Sequence, residues 1–137
     1  MLLWTRVSCP AINLMAASIR DAEKSLKVLV IEDDASIREA LCDVLRLAGH
    51  EPEGAEHGRA GLDAVGRSVP DVILLDLRMP VMNGIEFLRA IAPKKLKSRI
   101  IVLTANPQDL PPGTNLPMLA KPYDVERLLR VIDGVDG

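Results

Sequence analysis

Val28-Leu29-Val30-Ile31-Glu32-Asp33-Asp34 decides how the rest of this chain is read: four apolar residues, then three acids. Three further runs have the same form. Val72-Ile73-Leu74-Leu75 ends on Asp76, Ile100-Ile101-Val102-Leu103 on Thr104, and Met118-Leu119-Ala120 on Lys121. Near-continuous apolar runs of this length fit strands buried on both faces, as in a parallel sheet covered by helices. In such a sheet the carboxyl ends of the strands share one edge, where open α/β sheets place their sites. The spacing therefore predicts acids, a hydroxyl and an amine converging at that edge.

The segments between the runs support the same layout. Ile37, Ala40, Leu41, Val44, Leu45 and Ala48 recur at helical spacing. Ser36 with Glu39 reads as a capping box, and Gly49 as the residue past the helix end. Glu51–Glu56 contains Pro52 and Gly54 and makes a poor strand, which belongs at a sheet edge if it is a strand at all. A short helix over Arg59–Arg67 follows. After Asp76 comes a loop rich in turn residues. Ile85, Leu88, Ile91 and Ala92 then form a helix face, closed by Pro93 and the basic Lys94, Lys95 and Lys97. The last helix starts at Asp124 and puts Val125, Leu128, Leu129 and Ile132 on one face. Alternating strands and helices predict a doubly wound five-stranded parallel sheet. One crossover departs from the alternation. Residues 105–117 hold four prolines and Gly113, which leaves a loop or single turn instead of a helix.

Bulk properties bound the function. With 137 residues, 48% hydrophobic and 26% charged, the chain fits one globular domain and not a disordered one. A net charge of −2, from 17 Lys+Arg against 19 Asp+Glu, gives no general reason to expect nucleic-acid binding, and no apolar stretch is long enough for a membrane span. Cys9 and Cys42 lack CxxC spacing and read as idle thiols of a reducing cytoplasm, with Cys42 packed on a helix. His50 and His57 share no metal spacing and are expected to face solvent. Met79 and Met82 read as loop or core filling. Residues 1–26 lie outside the predicted domain, as an extension or with Met15 as the real start. Arg6 alone, and an apolar stretch broken by Ser8, Cys9, Pro10 and Asn13, make a poor signal peptide.

The chemistry of the predicted edge is that of a cation site beside a reactive carboxylate. Glycine-rich phosphate loops are absent, and three acids after the first strand would repel a phosphate. Glu32, Asp33 and Asp76 would also repel one another without a hard divalent cation, and an all-oxygen set suits Mg²⁺. With Mg²⁺ and Lys121 nearby, Asp76 has the chemistry to take a phosphoryl group as a carboxylate nucleophile, Thr104 to hydrogen-bond a phosphoryl oxygen, and Lys121 to balance its charge. Singly, each Asp would be read as a turn or helix cap, which is how Asp34 is read here.

Lys27–Asp34, Asp71–Gly84, Leu103-Thr104-Ala105 and Ala120-Lys121-Pro122-Tyr123, in that order, resemble the receiver domain of bacterial response regulators. The resemblance runs from Lys27 to the C-terminus and implies a flavodoxin-like fold in which the fourth helix of the family is reduced or absent. It implies Asp76 as phospho-acceptor, Glu32 and Asp33 as the acidic metal pair, and the Arg78 backbone carbonyl as a further metal ligand. It also implies Thr104 as switch hydroxyl and Lys121 as the lysine before a cis proline, Pro122. The implied partner is a histidine kinase or histidine phosphotransfer protein, with no nucleic-acid or membrane partner and no DNA-binding output domain before the end at Gly137. Two departures stand out: the lost crossover helix, and Met118 where the family carries an aromatic switch residue. Both lead to an expected monomer. A haloacid-dehalogenase-like phosphotransferase would need a second Asp at position 78, which is Arg. A phosphorylation-independent pseudo-receiver would have lost one of the acids or the lysine, and all are present.

Overall fold

A computed structural model describes residues 25–134; the predictions for the N-terminal extension, including Cys9 and Met15, fall outside the described residues except at its last two positions. The elements alternate as β1 (Lys27–Ile31), α1 (Ala35–Leu47), β2 (Glu51–Ala55), α2 (Gly58–Arg67), β3 (Val72–Asp76), α3 (Gly84–Ile91), β4 (Arg99–Thr104), β5 (Met118–Ala120) and α4 (Val125–Ile132). All strand pairs are parallel, in the order β2-β1-β3-β4-β5. The chain thus leaves β1 toward one sheet edge and β3 toward the other, which opens a crevice above the carboxyl ends of β1 and β3.

The apolar runs are continuous because each strand feeds two cores. Val28, Val30, Leu74, Ile101 and Leu103 pack with Leu45 of α1 and Leu128 and Ile132 of α4 on one face. Leu29, Ile31, Ile73 and Leu75 pack with Val65 of α2 and with Phe87 and Ile91 of α3 on the other. As expected, the Pro- and Gly-bearing β2 lies at an edge, paired only with β1.

The helix starts are fixed by side-chain caps. Asp34, not Ser36, caps α1, its Oδ1 accepting the Ile37 N–H at 3.1 Å; Ser36 falls inside the helix, so the predicted Ser36–Glu39 box does not form. Asn83 and Glu86 form a reciprocal box on α3, with bonds of 2.9 and 3.1 Å. Asp124 caps α4 through the Glu126 N–H. Leu128 and Ile132 are buried in α4 as predicted, but Val131 takes the place assigned to Val125, which is 43% exposed.

His50 corrects the sequence reading. It is 5% exposed, its Nδ1 accepts the Leu26 N–H at 3.2 Å, and its Nε2 lies 3.6 Å from Asp133 near the end of α4. A buried ring with a partner for each nitrogen is a packing post, placed by contacts 24 or more residues distant. His57 is half-buried and caps α2, its Nδ1 accepting the Ala60 N–H at 3.1 Å. Cys42 is buried as expected, and Met79 and Met82 pack against the second core. Residues 105–117 contain only one 3₁₀ turn, Pro107–Asp109, in agreement with the proline content.

Candidate functional site

Four strand ends deliver the site. Glu32 follows β1, Asp76 is the last residue of β3, Thr104 ends β4, and Lys121 follows β5. Register brings them level, since β3 and β4 pair Asp76 with Leu103 while β4 and β5 pair Thr104 with Ala120. The Lys121 N–H bonds the Thr104 carbonyl at 2.8 Å, and the Lys121–Pro122 peptide is cis, as the resemblance implied. The ammonium is turned to the acids, with Nζ 3.2 Å from Glu32 Oε2 and 3.6 Å from Asp76 Oδ2.

The acids are held unequally. Glu32 is 3% exposed, its N–H donates to Ala55 O, and its Oε1 accepts the Asp34 N–H at 3.2 Å. Asp76 is 9% exposed, whereas Asp33 faces solvent. One carboxylate oxygen from each of Glu32, Asp33 and Asp76 comes within 4.8 Å of the others. Burial pushes the Glu32 carboxyl above the ordinary carboxylate range, and Asp76 adds to the rise against the opposing Asp34 N–H and Lys121. Burial alone would lower the Lys121 ammonium, but Asp76 and then Glu32 outweigh it and hold the group above its ordinary value. The two shifts differ in their leading cause: burial raises Glu32, while the carboxylates of Asp76 and Glu32 raise Lys121 against burial. An acid-rich, all-oxygen cluster of this size fits a hard divalent cation such as Mg²⁺.

Thr104 is 2% exposed, and its Oγ1 accepts the Asn106 N–H at 3.0 Å. Asp34 points away from the cluster as the α1 cap, in line with its reading as a cap. The Arg78 side chain leaves the site, its guanidinium donating twice to Asp109 at 2.8 and 3.3 Å. Those bonds hold the Asp109 carboxyl below its ordinary value and tie the loop after β3 to the shortened β4–β5 crossover. Nothing in the local sequence marks this pair, whose members lie 31 residues apart.

Two further residues shape the pocket. A Cβ on Gly84 would come within 2.5 Å of the Asp76 carbonyl oxygen and 2.8 Å of Leu77 Cα, so α3 packs this close to the end of β3 only without a side chain there. Arg38, on the first turn of α1, donates to the Glu32 carbonyl at 2.7 Å. The sequence reading passed over both. The glycine ends a turn-rich segment, which was signal enough for a loop but not for close packing.

Comparison with known proteins gives a consistent picture. Residues 28–133 match the response regulator receiver domain. The sporulation initiation phosphotransferase F of Bacillus subtilis is 32% identical over 107 residues, which cover 74% of this chain and 86% of that protein. Response regulator MprA of Mycolicibacterium vanbaalenii is 34% identical over 110 residues, 76% of this chain; the chain spans about half the length of that relative, 47%. The solved structure of the chemotaxis protein CheY4 of Vibrio cholerae superposes with a TM-score of 0.71 at 32% identity, covering 81% of this chain and 98% of the other.

Proposed function

The chain belongs to the response regulator receiver family, and on that premise we propose that Asp76 is its phospho-acceptor, served by Glu32, Asp33, Thr104 and Lys121. As a receiver it is a phospho-accepting signalling module and not a metabolic enzyme, and its partners are in general histidine kinases or phosphotransfer proteins. The observation that carries the residue assignment is the convergence on Asp76: a nearly buried carboxylate, an ammonium at 3.6 Å, and two further acids within cation-sharing distance.

In the proposed reaction an Asp76 carboxylate oxygen attacks the phosphorus of a phosphohistidine. The P–N bond breaks, the imidazole leaves with the electron pair, and a mixed carboxylic–phosphoric anhydride remains on Asp76. Lys121, already turned toward Asp76, balances the charge of the incoming group, and the Thr104 hydroxyl hydrogen-bonds one of its oxygens. Glu32, Asp33, Asp76 and the Arg78 carbonyl would hold Mg²⁺, which when bound would neutralise charge on the phosphoryl oxygens. The Arg78 side chain is engaged by Asp109, so position 78 offers no acid–base group of the dehalogenase kind. Among the described residues no helix is long and apolar enough to cross a membrane. As a partner of histidine kinases or phosphotransfer proteins, a receiver over residues 27–137 would work in the cytoplasm.

Asp33→Ala tests the cation site. The solvent-facing Asp33 has no hydrogen bond to its carboxylate among the described residues, so its removal costs no packing and relieves repulsion worth on the order of 1 kcal/mol. In chelator the variant is expected to melt no lower than wild type. With acetyl phosphate and Mg²⁺ its phosphorylation rate falls at least ~100-fold, a loss of about 2.7 kcal/mol of transition-state stabilisation. Phosphorylation at the wild-type rate would move the metal pair elsewhere.

The output of this receiver differs from an aromatic switch. Met118 is 38% exposed and carries no ring, and residues 105–117 offer no helical face to a second copy. The Arg78–Asp109 bonds link the loop beside Asp76 directly to that crossover. Addition of beryllofluoride, a mimic of the acyl phosphate, is expected to change hydrogen exchange within 105–117 while light scattering stays at the monomer mass. A shift to dimer with unchanged exchange in that segment would overturn this output.

A further inference from the structure

Arg38 and Gly54 form a bracket for the acidic pair. The Arg38 guanidinium donates to the Glu32 carbonyl at 2.7 Å and lies 3.5 Å from the Asp33 carbonyl. Its stem crosses the β2 edge directly over Gly54: a Cβ there would sit 3.0 Å from Arg38 Cδ and 3.2 Å from Cγ. Gly54 pairs with Val30 one step before the strand end, and the space left by its missing side chain is taken by the Arg38 stem. The glycine that makes β2 a poor strand is thus the residue that admits the arginine.

The other contacts in this corner show what the bracket is for. Glu32 is fixed through its N–H by Ala55, through Oε1 by the Asp34 N–H and through Oε2 by Lys121. Asp33 has no such partner for its carboxylate among the described residues, so its direction is set by the peptide that joins it to Glu32. Arg38 holds the carbonyl of that peptide. We propose that Arg38, seated over Gly54, is a positioning residue for the cation site: it fixes the Glu32–Asp33 peptide so that Asp33 stays aimed at the cluster with Glu32 and Asp76. The inference rests on the cation site assigned above.

A charge argument predicts the opposite sign, which makes the test decisive. An arginine beside a divalent-cation site repels the ion, so removing it would tighten binding if charge were its only influence. A positioning role makes removal weaken binding, and loss of groups that orient metal ligands typically costs roughly 10–100-fold in affinity. Arg38→Met keeps most of the stem over Gly54 and removes both donor and charge. Gly54→Val leaves Arg38 intact but crowds its stem, while a β-branched residue suits an edge strand.

The experiment is an Mg²⁺ titration of the full chain, with no phosphodonor, followed through the amide shifts of Asp33 and Asp76. Thermal melts are recorded in chelator alongside. Arg38→Met is expected to raise the Mg²⁺ Kd roughly tenfold. Gly54→Val should raise it severalfold with no loss of melting temperature, and it decides the matter if Arg38→Met does not fold. Unchanged or tighter Mg²⁺ binding in both variants overturns the positioning role while leaving the cation site standing. A wild-type chain whose shifts do not respond to Mg²⁺ removes the cation site itself, and this role with it.

Discussion

Asp76→Asn is expected to abolish phosphorylation by acetyl phosphate and Mg²⁺, read by intact mass as the loss of a single added phosphoryl group. The amide matches the carboxylate in size, so it should remain seated at the end of β3, where Asp76 is 9% exposed. It lacks the anionic oxygen that attacks phosphorus, and the expected loss exceeds ~1,000-fold, about 4 kcal/mol of barrier. Neither neighbouring acid is placed to replace it: Glu32 is engaged by the Asp34 N–H and Lys121, and Asp33 has no ammonium against its carboxylate among the described residues to balance an incoming phosphoryl group. Labelling of the variant at the wild-type rate would move the acceptor to another residue.

The largest structural effect is expected at Gly84. Its N–H donates to the Leu77 carbonyl at 2.9 Å, and a Cβ would meet the Asp76 backbone at 2.5 Å, where no flexible side chain can give way. Gly84→Val must push α3, with the buried Phe87 and Ile91, away from the sheet or displace the end of β3. Overpacking of this kind costs roughly 2–4 kcal/mol, which in a domain of this size lowers Tm on the order of 10 °C. The Asp76 backbone moves too, so phosphorylation should fall even below the new Tm. Gly66, with nothing within 4 Å of the position of an added Cβ, is the control: Gly66→Ala should hold or raise stability by about 0.5–1 kcal/mol. Equal melting of Gly84→Val and wild type would mean that α3 does not pack as described.

The sequence disclosed this site unusually well, because each of its members ends an apolar run. A parallel strand buried on both faces leaves a plain signature, and the first polar residue after it must emerge at the carboxyl edge. Glu32, Asp76, Thr104 and Lys121 were legible for that reason. The proline-rich crossover was legible too, since proline forbids helix whatever surrounds it. Residues whose roles depend on distant partners were not. His50 sits at a helix end, where exposure is the natural reading, yet Leu26 and Asp133 bury it. The start of α1 was a local ambiguity instead: Ser36 with Glu39 matches the pattern of a capping box, but Asp34, also read as a cap, takes the role two residues earlier.

By itself, then, the order of residues determined the five parallel strands, the helices that cover them and the edge where the acids, the hydroxyl and the amine meet, because local periodicity and burial on both faces are written into short segments. Tertiary structure alone decided what braces that edge. The Arg78–Asp109 bonds, the Arg38 stem over Gly54 and the contact of Gly84 with the Asp76 backbone join segments 8 to 31 residues apart. Such contacts depend on where the helices and loops come to rest against the sheet, a geometry that no single segment specifies.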